Sequence, residues 1–131
     1  MAPTLNAIGM AVADMAKTLD FYRRLGLDIP PGQEAEGHVE AVGPGGIRLM
    51  WDTHDVIKSF DSDFTPNTGG GPSLAFLCAE PAEVDTVYAQ LVEAGATSTM
   101  EPWDADWGQR YATVKDPDGY ALDLFAWIKQ P

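Results

Sequence analysis

The chain contains two copies of one pattern of elements, and this repeat limits its possible folds more than any other feature. In each copy a short apolar strand leads into an amphipathic helix, and further strands joined by a Pro/Gly turn follow. The turn segments align directly, because GPGGIRLMW at 43–51 matches DPDGYALDL at 116–124 with Pro on Pro and Gly on Gly. A repeat of roughly sixty residues is too long for a solenoid. It predicts two similar units in one chain.

The first unit is predicted over residues 5–52. Its expected strands are 5–12, 37–42 and 47–52. Asp14 can cap a helix that ends at Gly26. The polar segment 53–71 shows no sustained periodicity and is predicted to be a linker.

The second unit is predicted over residues 72–128. It begins with a strand at 72–78, a helix that opens at Pro81 and an edge strand at 96–100. Residues 102–108 are predicted to form a loop that holds two tryptophans. The unit ends in a hairpin that turns at 116–119, where Pro restricts one φ and Gly permits an unusual one. The expected fold is α+β: a single domain, 1–131, of two tandem βαβββ units that form a curved, cup-shaped mixed sheet with helices outside.

Composition excludes several functional classes. The net charge of -12 repels both nucleic acid and anionic membrane surfaces. The N-terminus lacks the features of a secretory signal and no apolar run approaches the ~20 residues of a membrane span. Cys78 is the only cysteine, so no intrachain disulfide can form. A cytoplasmic location with no membrane or nucleic-acid partner is expected.

The repeat carries motifs that resemble a known family. The first helix starts with Asp14 and reaches Phe21-Tyr22, and the second unit ends in WGQR, a strand and DPDGYALDL. Together these resemble the vicinal oxygen chelate superfamily, which includes glyoxalase I, extradiol dioxygenases and bleomycin-resistance proteins. The resemblance covers residues 6–127. It implies the fold more strongly than any one activity, because one fold supports several chemistries.

The resemblance also implies where a metal ion would bind. Enzymes of the superfamily hold one divalent ion at four positions, which correspond here to Ala7, Met50, Ser73 and Asp123. Only Asp123 is a usual ligand, whereas catalytic sites need about three protein ligands. No metal ion or other cofactor is therefore expected, and an enzymatic role is less favoured than binding.

Two departures from this expectation stay open. His38, Glu40 and His54 are close enough in sequence to suggest a displaced metal set, as in a lyase, isomerase or dioxygenase with atypical ligands. Alternatively, Asp123 among apolar neighbours could act as a general acid or base without a metal. No other catalytic residue is predicted.

The favoured function is metal-independent binding of a small aromatic molecule in the cup. This resembles the bleomycin-resistance branch, which sequesters antibiotics and usually forms dimers, so a homodimer is expected. The acidic balance, including Asp104 and Asp106 beside two tryptophans, favours a cationic ligand. The predicted ligand-binding residues are those that alternation and the aromatic loop direct toward the cup: His38, Arg48, Met50, Trp103, Trp107, Asp123 and Phe125.

Overall fold

The structure of the protein is a computed structural model that describes residues 2–43, 45–66 and 71–128. The chain divides into two compact units, Met1–Asn67 and Thr68–Pro131. Each unit combines a small β-sheet with helices, so the predicted α+β class is confirmed. Pro44 of the predicted Gly-rich turn and residues 67–70 of the predicted linker lie outside the described residues.

The first unit is built around a three-stranded mixed sheet. Its elements are β1 Ala7–Val12, α1 Met15–Leu25, β2 His38–Val42, β3 Arg48–Thr53 and α2 His54–Lys58. The strand order is β1-β3-β2, with β1 parallel and β2 antiparallel to β3. The helix boundaries predicted for α1 are confirmed, because Asp14 accepts a hydrogen bond from Lys17 N and Gly26 adopts a left-handed φ of 111°.

This unit has one strand fewer, among its described residues, than the βαβββ pattern predicts. Residues 27–37, before β2, form turns and irregular chain. Pro30 and Pro31 lack the N–H groups that a strand would donate. Arg23 of α1 holds this segment instead, since its guanidinium donates to Ile29 O at 3.2 Å, Pro30 O at 2.7 Å and Glu34 Oε2 at 2.7 Å.

The segment 53–71, predicted to be a linker, contains a short helix near its start. Helix α2 begins directly after β3, and the Thr53 hydroxyl caps it by accepting a hydrogen bond from Val56 N at 3.2 Å. A helix of five residues is too short to show an apolar period. Its sequence signals were the capping threonine, the acidic Asp55 in its first turn and the basic Lys58 in its last turn.

The second unit has a four-stranded sheet covered by one long helix. Its elements are β4 Leu74–Leu77, α3 Pro81–Glu93, β5 Thr97–Ala105, β6 Gln109–Lys115 and β7 Ala121–Trp127. The strand order is β4-β7-β6-β5, with β4 parallel to β7 and the other pairs antiparallel. None of the described helices in either unit has the length and apolar character required to cross a bilayer.

Residues 102–105, predicted as loop, belong to β5, and this corrects the position of Trp103. The strand pairs with β6 through Trp103↔Tyr111 and Ala105↔Gln109, with register shifts on either side of Met100. Pro102 is compatible with a strand here because β5 is an edge strand and one of its sides needs no donors. The irregular pairing explains why its apolar residues do not alternate cleanly in sequence.

The predicted hairpin between β6 and β7 is confirmed. Gly119 N donates to Asp116 O at 2.9 Å, and Gly119 has a φ of 91° that favours glycine. The buried Asp116 side chain accepts from Asp118 N and Tyr120 N, each at 2.9 Å. This turn fixes which residues of β6 and β7 face each other.

In each unit a helix and one face of the sheet form the core. The first core includes Leu19 and Tyr22 of α1 against Trp51, with the Tyr22 and Trp51 rings 5.0 Å apart. The second pairs Val84 and Leu91 of α3 with fully buried residues of β6 and β7: Ala112, Val114, Leu122, Leu124 and Ala126. The opposite face of each sheet is therefore the more open one.

Candidate functional site

The open face of the second sheet carries a continuous series of aromatic rings. Phe125 stacks on Tyr111 at a centroid distance of 6.3 Å, Tyr111 meets Trp107 edge to face at 5.6 Å, and Trp107 meets Trp103 in the same way at 5.6 Å. The register produces this order, since Tyr111 lies between Trp103 on β5 and Phe125 on β7. Rings that are fixed in this way offer apolar area at low entropic cost.

Trp107 is the most exposed member of the series. It lies in the turn between β5 and β6, and 56% of its surface is accessible. Its indole Nε1 donates to Gln109 Oε1 at 2.7 Å, and Gln109 is a buried residue. The hydrogen bond fixes the ring while leaving much of it accessible to a ligand.

Trp103 is more enclosed than Trp107. Its Nε1 is buried and has no hydrogen-bond partner within the described parts of the chain. Its edge-to-face contact supports the Trp107 ring. The two tryptophans thus have different positions, one at the surface and the other beneath it.

A carboxylate lies beside the aromatic series. Asp123 Oδ2 accepts a hydrogen bond from the Tyr111 hydroxyl at 2.5 Å. Burial, and next the neighbouring Asp123 carboxylate, raise the pKa of Tyr111 to about 12. The phenol therefore stays protonated near neutral pH and acts as the donor in this pair.

Asp104 has a partner that the sequence did not reveal. Arg110 donates to Asp104 Oδ1 at 3.0 Å and to Asp85 Oδ1 at 3.1 Å. The hydrogen bond that Arg110 donates to Asp104 is the main cause that raises the pKa of Arg110. Asp104 thus shares one guanidinium with Asp85, whereas Asp123 is the carboxylate that contacts a ring of the aromatic series, that of Tyr111.

The open face of the first sheet has a different character, because it carries a chain of polar contacts. Arg48 donates to Asn6 Oδ1 at 2.7 Å and to Glu40 Oε1 at 2.5 Å. Glu40 Oε2 lies 2.8 Å from His38 Nε2, and His38 Nδ1 lies 2.6 Å from Asp52 Oδ1. Two cations and two carboxylates satisfy one another along this face.

His38 is held between two acceptors, which determines its protonation. The hydrogen bonds to Glu40 and then to Asp52 raise the pKa of His38 above its ordinary value. The hydrogen bond from His38 and next that from Arg48 lower the pKa of Glu40. The ring therefore remains an imidazolium, which donates from both nitrogens, up to a higher pH than an ordinary histidine does.

The predicted ligand-binding residues therefore fall into two groups. Trp103, Trp107, Asp123 and Phe125 share the open face of the second sheet. His38, Arg48 and Met50 lie on the open face of the first, where Arg48 Nη1 also lies 3.6 Å from Met50 Sδ. In the first group the rings are accessible, whereas in the second the charged groups already have partners.

The residues at the four positions implied for a metal ion do not fit one. Ala7 and Met50 supply no charged or nitrogen donor, Ser73 supplies a hydroxyl, and the Asp123 carboxylate already accepts from Tyr111. Across 2–43, 45–66 and 71–128, no group of three or more His, Cys, Asp or Glu side chains could hold a metal ion.

The displaced set of His38, Glu40 and His54 does not assemble either. His38 directs both nitrogens to carboxylates, and the His54 ring instead lies 5.4 Å from that of Phe64. A metal-binding histidine needs one nitrogen that is not protonated. The raised pKa of His38 opposes this role.

Tyr111 is the site residue that sequence reasoning missed. It joins Trp107 to Phe125 and is the hydrogen-bond partner of Asp123. The signal was present in the hairpin: a turn closed by Asp116 and Tyr120 places position 113 opposite 123 and position 111 opposite 125. Extending the register from the turn would have identified it.

Comparison with known proteins agrees with this fold. Residues 4–124 match the family model of the Glyoxalase/Bleomycin resistance protein/Dioxygenase superfamily. The uncharacterised protein Mb0911c of Mycobacterium bovis is 28% identical over 120 residues, which are 88% of this chain and 78% of that protein.

Solved structures show the same fold at low identity. A glyoxalase/bleomycin resistance protein/dioxygenase family enzyme from Burkholderia phytofirmans superposes with a TM-score of 0.81 at 16% identity, covering 95% of this chain and 99% of that one. A glyoxalase-related enzyme from Fulvimarina pelagi gives 0.80 at 18% identity, covering 95% and 88%. The chain belongs to the glyoxalase/bleomycin resistance protein/dioxygenase superfamily.

Proposed function

We propose that the protein binds a small, flat aromatic molecule on the open face of its second sheet, without a metal ion, as in the sequestration of an antibiotic. One observation carries the proposal: the unbroken series Trp103, Trp107, Tyr111 and Phe125 beside the carboxylate of Asp123. Edge-to-face and stacked rings are suited to hold a further planar ring. The carboxylate favours a ligand that is cationic.

Catalysis receives less support from the same residues. The donor set at the implied metal positions is incomplete. Asp123, the one candidate acid or base, is engaged with a tyrosine whose pKa of about 12 makes it a poor proton acceptor or shuttle near pH 7. Binding without turnover requires neither feature.

Tryptophan emission provides the direct test. Titration with a panel of planar aromatic compounds, including bleomycin-type and mitomycin-type antibiotics and acridines, should quench emission at micromolar protein. Replacing Trp107 by Ala should weaken binding by about 0.5–1.5 kcal/mol, the usual contribution of one aromatic pair. Calorimetry gives the dissociation constants of both proteins.

Phe60→Ala is the matched control, since Phe60 is an exposed aromatic residue, 75% accessible, in the other unit. It should bind the panel as the wild type does. The proposal fails if no compound changes the emission, or if the Trp107 and Phe60 variants bind equally well. Adding Ni²⁺, Zn²⁺, Mn²⁺ or Fe²⁺ to the assay should leave the constants unchanged.

A further inference from the structure

The carboxylate on the aromatic face has one oxygen that is not engaged. Asp123 Oδ2 accepts from Tyr111, and within the described parts of the chain the Asp123 side chain makes no other hydrogen bond or ion pair. The neighbours on the adjoining strands are small, with Ala75 on one side and Thr113 on the other. Neither of these directly paired residues therefore places a large side chain over Oδ1.

Tyr111 connects the Asp123 carboxylate to the stacking surface. Its ring belongs to the aromatic series, while its hydroxyl fixes the orientation of the Asp123 carboxylate. Phe125 lies two residues from Asp123 on the same face of β7. A planar ring on Tyr111 and Phe125 would thus bring its edge close to Oδ1.

We infer that the ligand is a planar heteroaromatic cation that carries an N–H donor at its edge, such as a protonated aromatic amine or an amidine, and that Asp123 Oδ1 accepts this N–H. The inference rests on the proposed function and adds the chemical class of the ligand. A partly buried carboxylate gains most from a donor that is itself charged. A fully alkylated cation has no N–H to donate, so it can interact with the carboxylate only through its charge.

Three acridines that share one ring system separate these contributions in the wild-type protein. Aminoacridine is cationic and has N–H donors, N-methylacridinium is cationic without a donor, and acridine is neutral at slightly alkaline pH. Calorimetry should give the tightest binding for aminoacridine. We expect a preference of about tenfold or more over N-methylacridinium, the usual effect of a charge-assisted hydrogen bond.

Substitutions locate the acceptor. Asp123→Asn keeps the shape of the side chain and should weaken aminoacridine binding by about tenfold, with little effect on acridine. Asp104→Asn removes the same charge from the same unit, but this exposed carboxylate is paired with Arg110. That control should bind aminoacridine within about twofold of the wild type.

The outcomes distinguish the two proposals. If all three acridines bind with equal affinity, or if the Asp123 and Asp104 variants lose affinity equally, the N–H inference is overturned while the stacking function stands. If none of the three binds, the N–H inference is overturned, and the proposed function falls with it if no other compound of the aromatic panel binds. Should Asp123→Asn fold poorly, the comparison of the three acridines on the wild-type protein decides alone.

Discussion

The charge of His38 depends more on the neighbouring carboxylates than on how exposed its side chain is. Its side chain is 44% accessible, yet both ring nitrogens lie within 2.8 Å of carboxylate oxygens. Raising the pKa of a histidine means that the folded state holds the proton more tightly than the unfolded state. The stabilisation is then fully present below the ordinary pKa of 6.5 and is lost as the pH rises through the raised value.

The pKa of Glu40 is shifted in the opposite direction, and this shift sets the lower end of the pH range in which the His38–Glu40 pair stabilises the fold. Its pKa is lowered from 4.5, so its contribution is complete above 4.5 and is lost as the pH falls through the lowered value. A double-mutant cycle with His38→Gln and Glu40→Gln, measured by urea unfolding, should show a larger favourable coupling free energy at about pH 5.5 than at about pH 9. A coupling that is equal at both pH values would contradict the paired imidazolium.

Single residues also show what could be read from the sequence. Strand alternation separated Arg48 and Met50, which were predicted to face the cup, from the residues that follow each of them, and those residues, Leu49 and Trp51, are buried. Alternation could not show that Arg110 neutralises Asp104, since that pairing joins adjacent strands through long side chains. The ion-pair partners of charged residues near the site could therefore be identified only from the structure, whereas the buried faces of strands could be predicted from the sequence.

Among the elements, the β6–β7 hairpin depends on one buried side chain. Asp116 accepts two backbone hydrogen bonds inside the turn and is only 4% accessible. Asp116→Ala should lower the free energy of unfolding by about 1–3 kcal/mol, because both N–H groups lose their acceptor. Asp116→Asn retains an acceptor oxygen and should lose clearly less. Equal urea midpoints for the two variants would show that the hydrogen bonds are not what matters.

Helix α2 packs closely against Gly37, and none of the helix residues is buried. A Cβ placed on Gly37 would overlap Val56 Cγ2 of α2, while Thr53 N donates to Gly37 O at 2.9 Å. Gly37→Ala should destabilise the protein by about 1–3 kcal/mol through overpacking. Adding Val56→Ala should recover part of this loss, although Val56→Ala alone is destabilising. Simple additivity of the two changes in urea unfolding would rule out the contact.

Local sequence signals succeeded at the elements where a cap or turn residue was distinctive. Asp14, Gly26 and the Asp116–Gly119 turn were placed correctly. They failed for β5, where Pro102 suggested a loop but the edge of a sheet accommodates it. Whether a strand lies at an edge is a property of the assembled sheet, so a local pattern cannot supply it.

At the level of the whole molecule, the repeat predicted two units, and among the described residues the first has three strands where the second has four. The two units share their strand-helix start and their final antiparallel pair, which are the parts with matching turns. They differ where the first has prolines and an arginine-bound segment in place of a strand. The sequence repeat therefore predicted the elements that the two units share, whereas the elements in which they differ became clear only from the structure.

Net charge is the other property that belongs to the whole chain. Within the described residues, four arginines form ion pairs with Asp or Glu that are open to solvent, and pairs of this kind contribute little to stability. The excess of twelve negative charges acts at longer range and opposes compact folding. Since salt weakens both effects, its net influence shows which one is larger.

We expect repulsion to dominate, so NaCl should stabilise the protein at neutral pH. The Debye length falls from about 20 Å at 20 mM to about 6 Å at 300 mM, which screens distant like charges more than contacts at 3 Å. Thermal unfolding at these two concentrations should show a higher midpoint in the stronger salt. At about pH 5, nearer the isoelectric point of about 4.2, the increase should shrink because fewer charges repel. A midpoint that falls with salt at pH 7 would mean that the exposed ion pairs outweigh the repulsion.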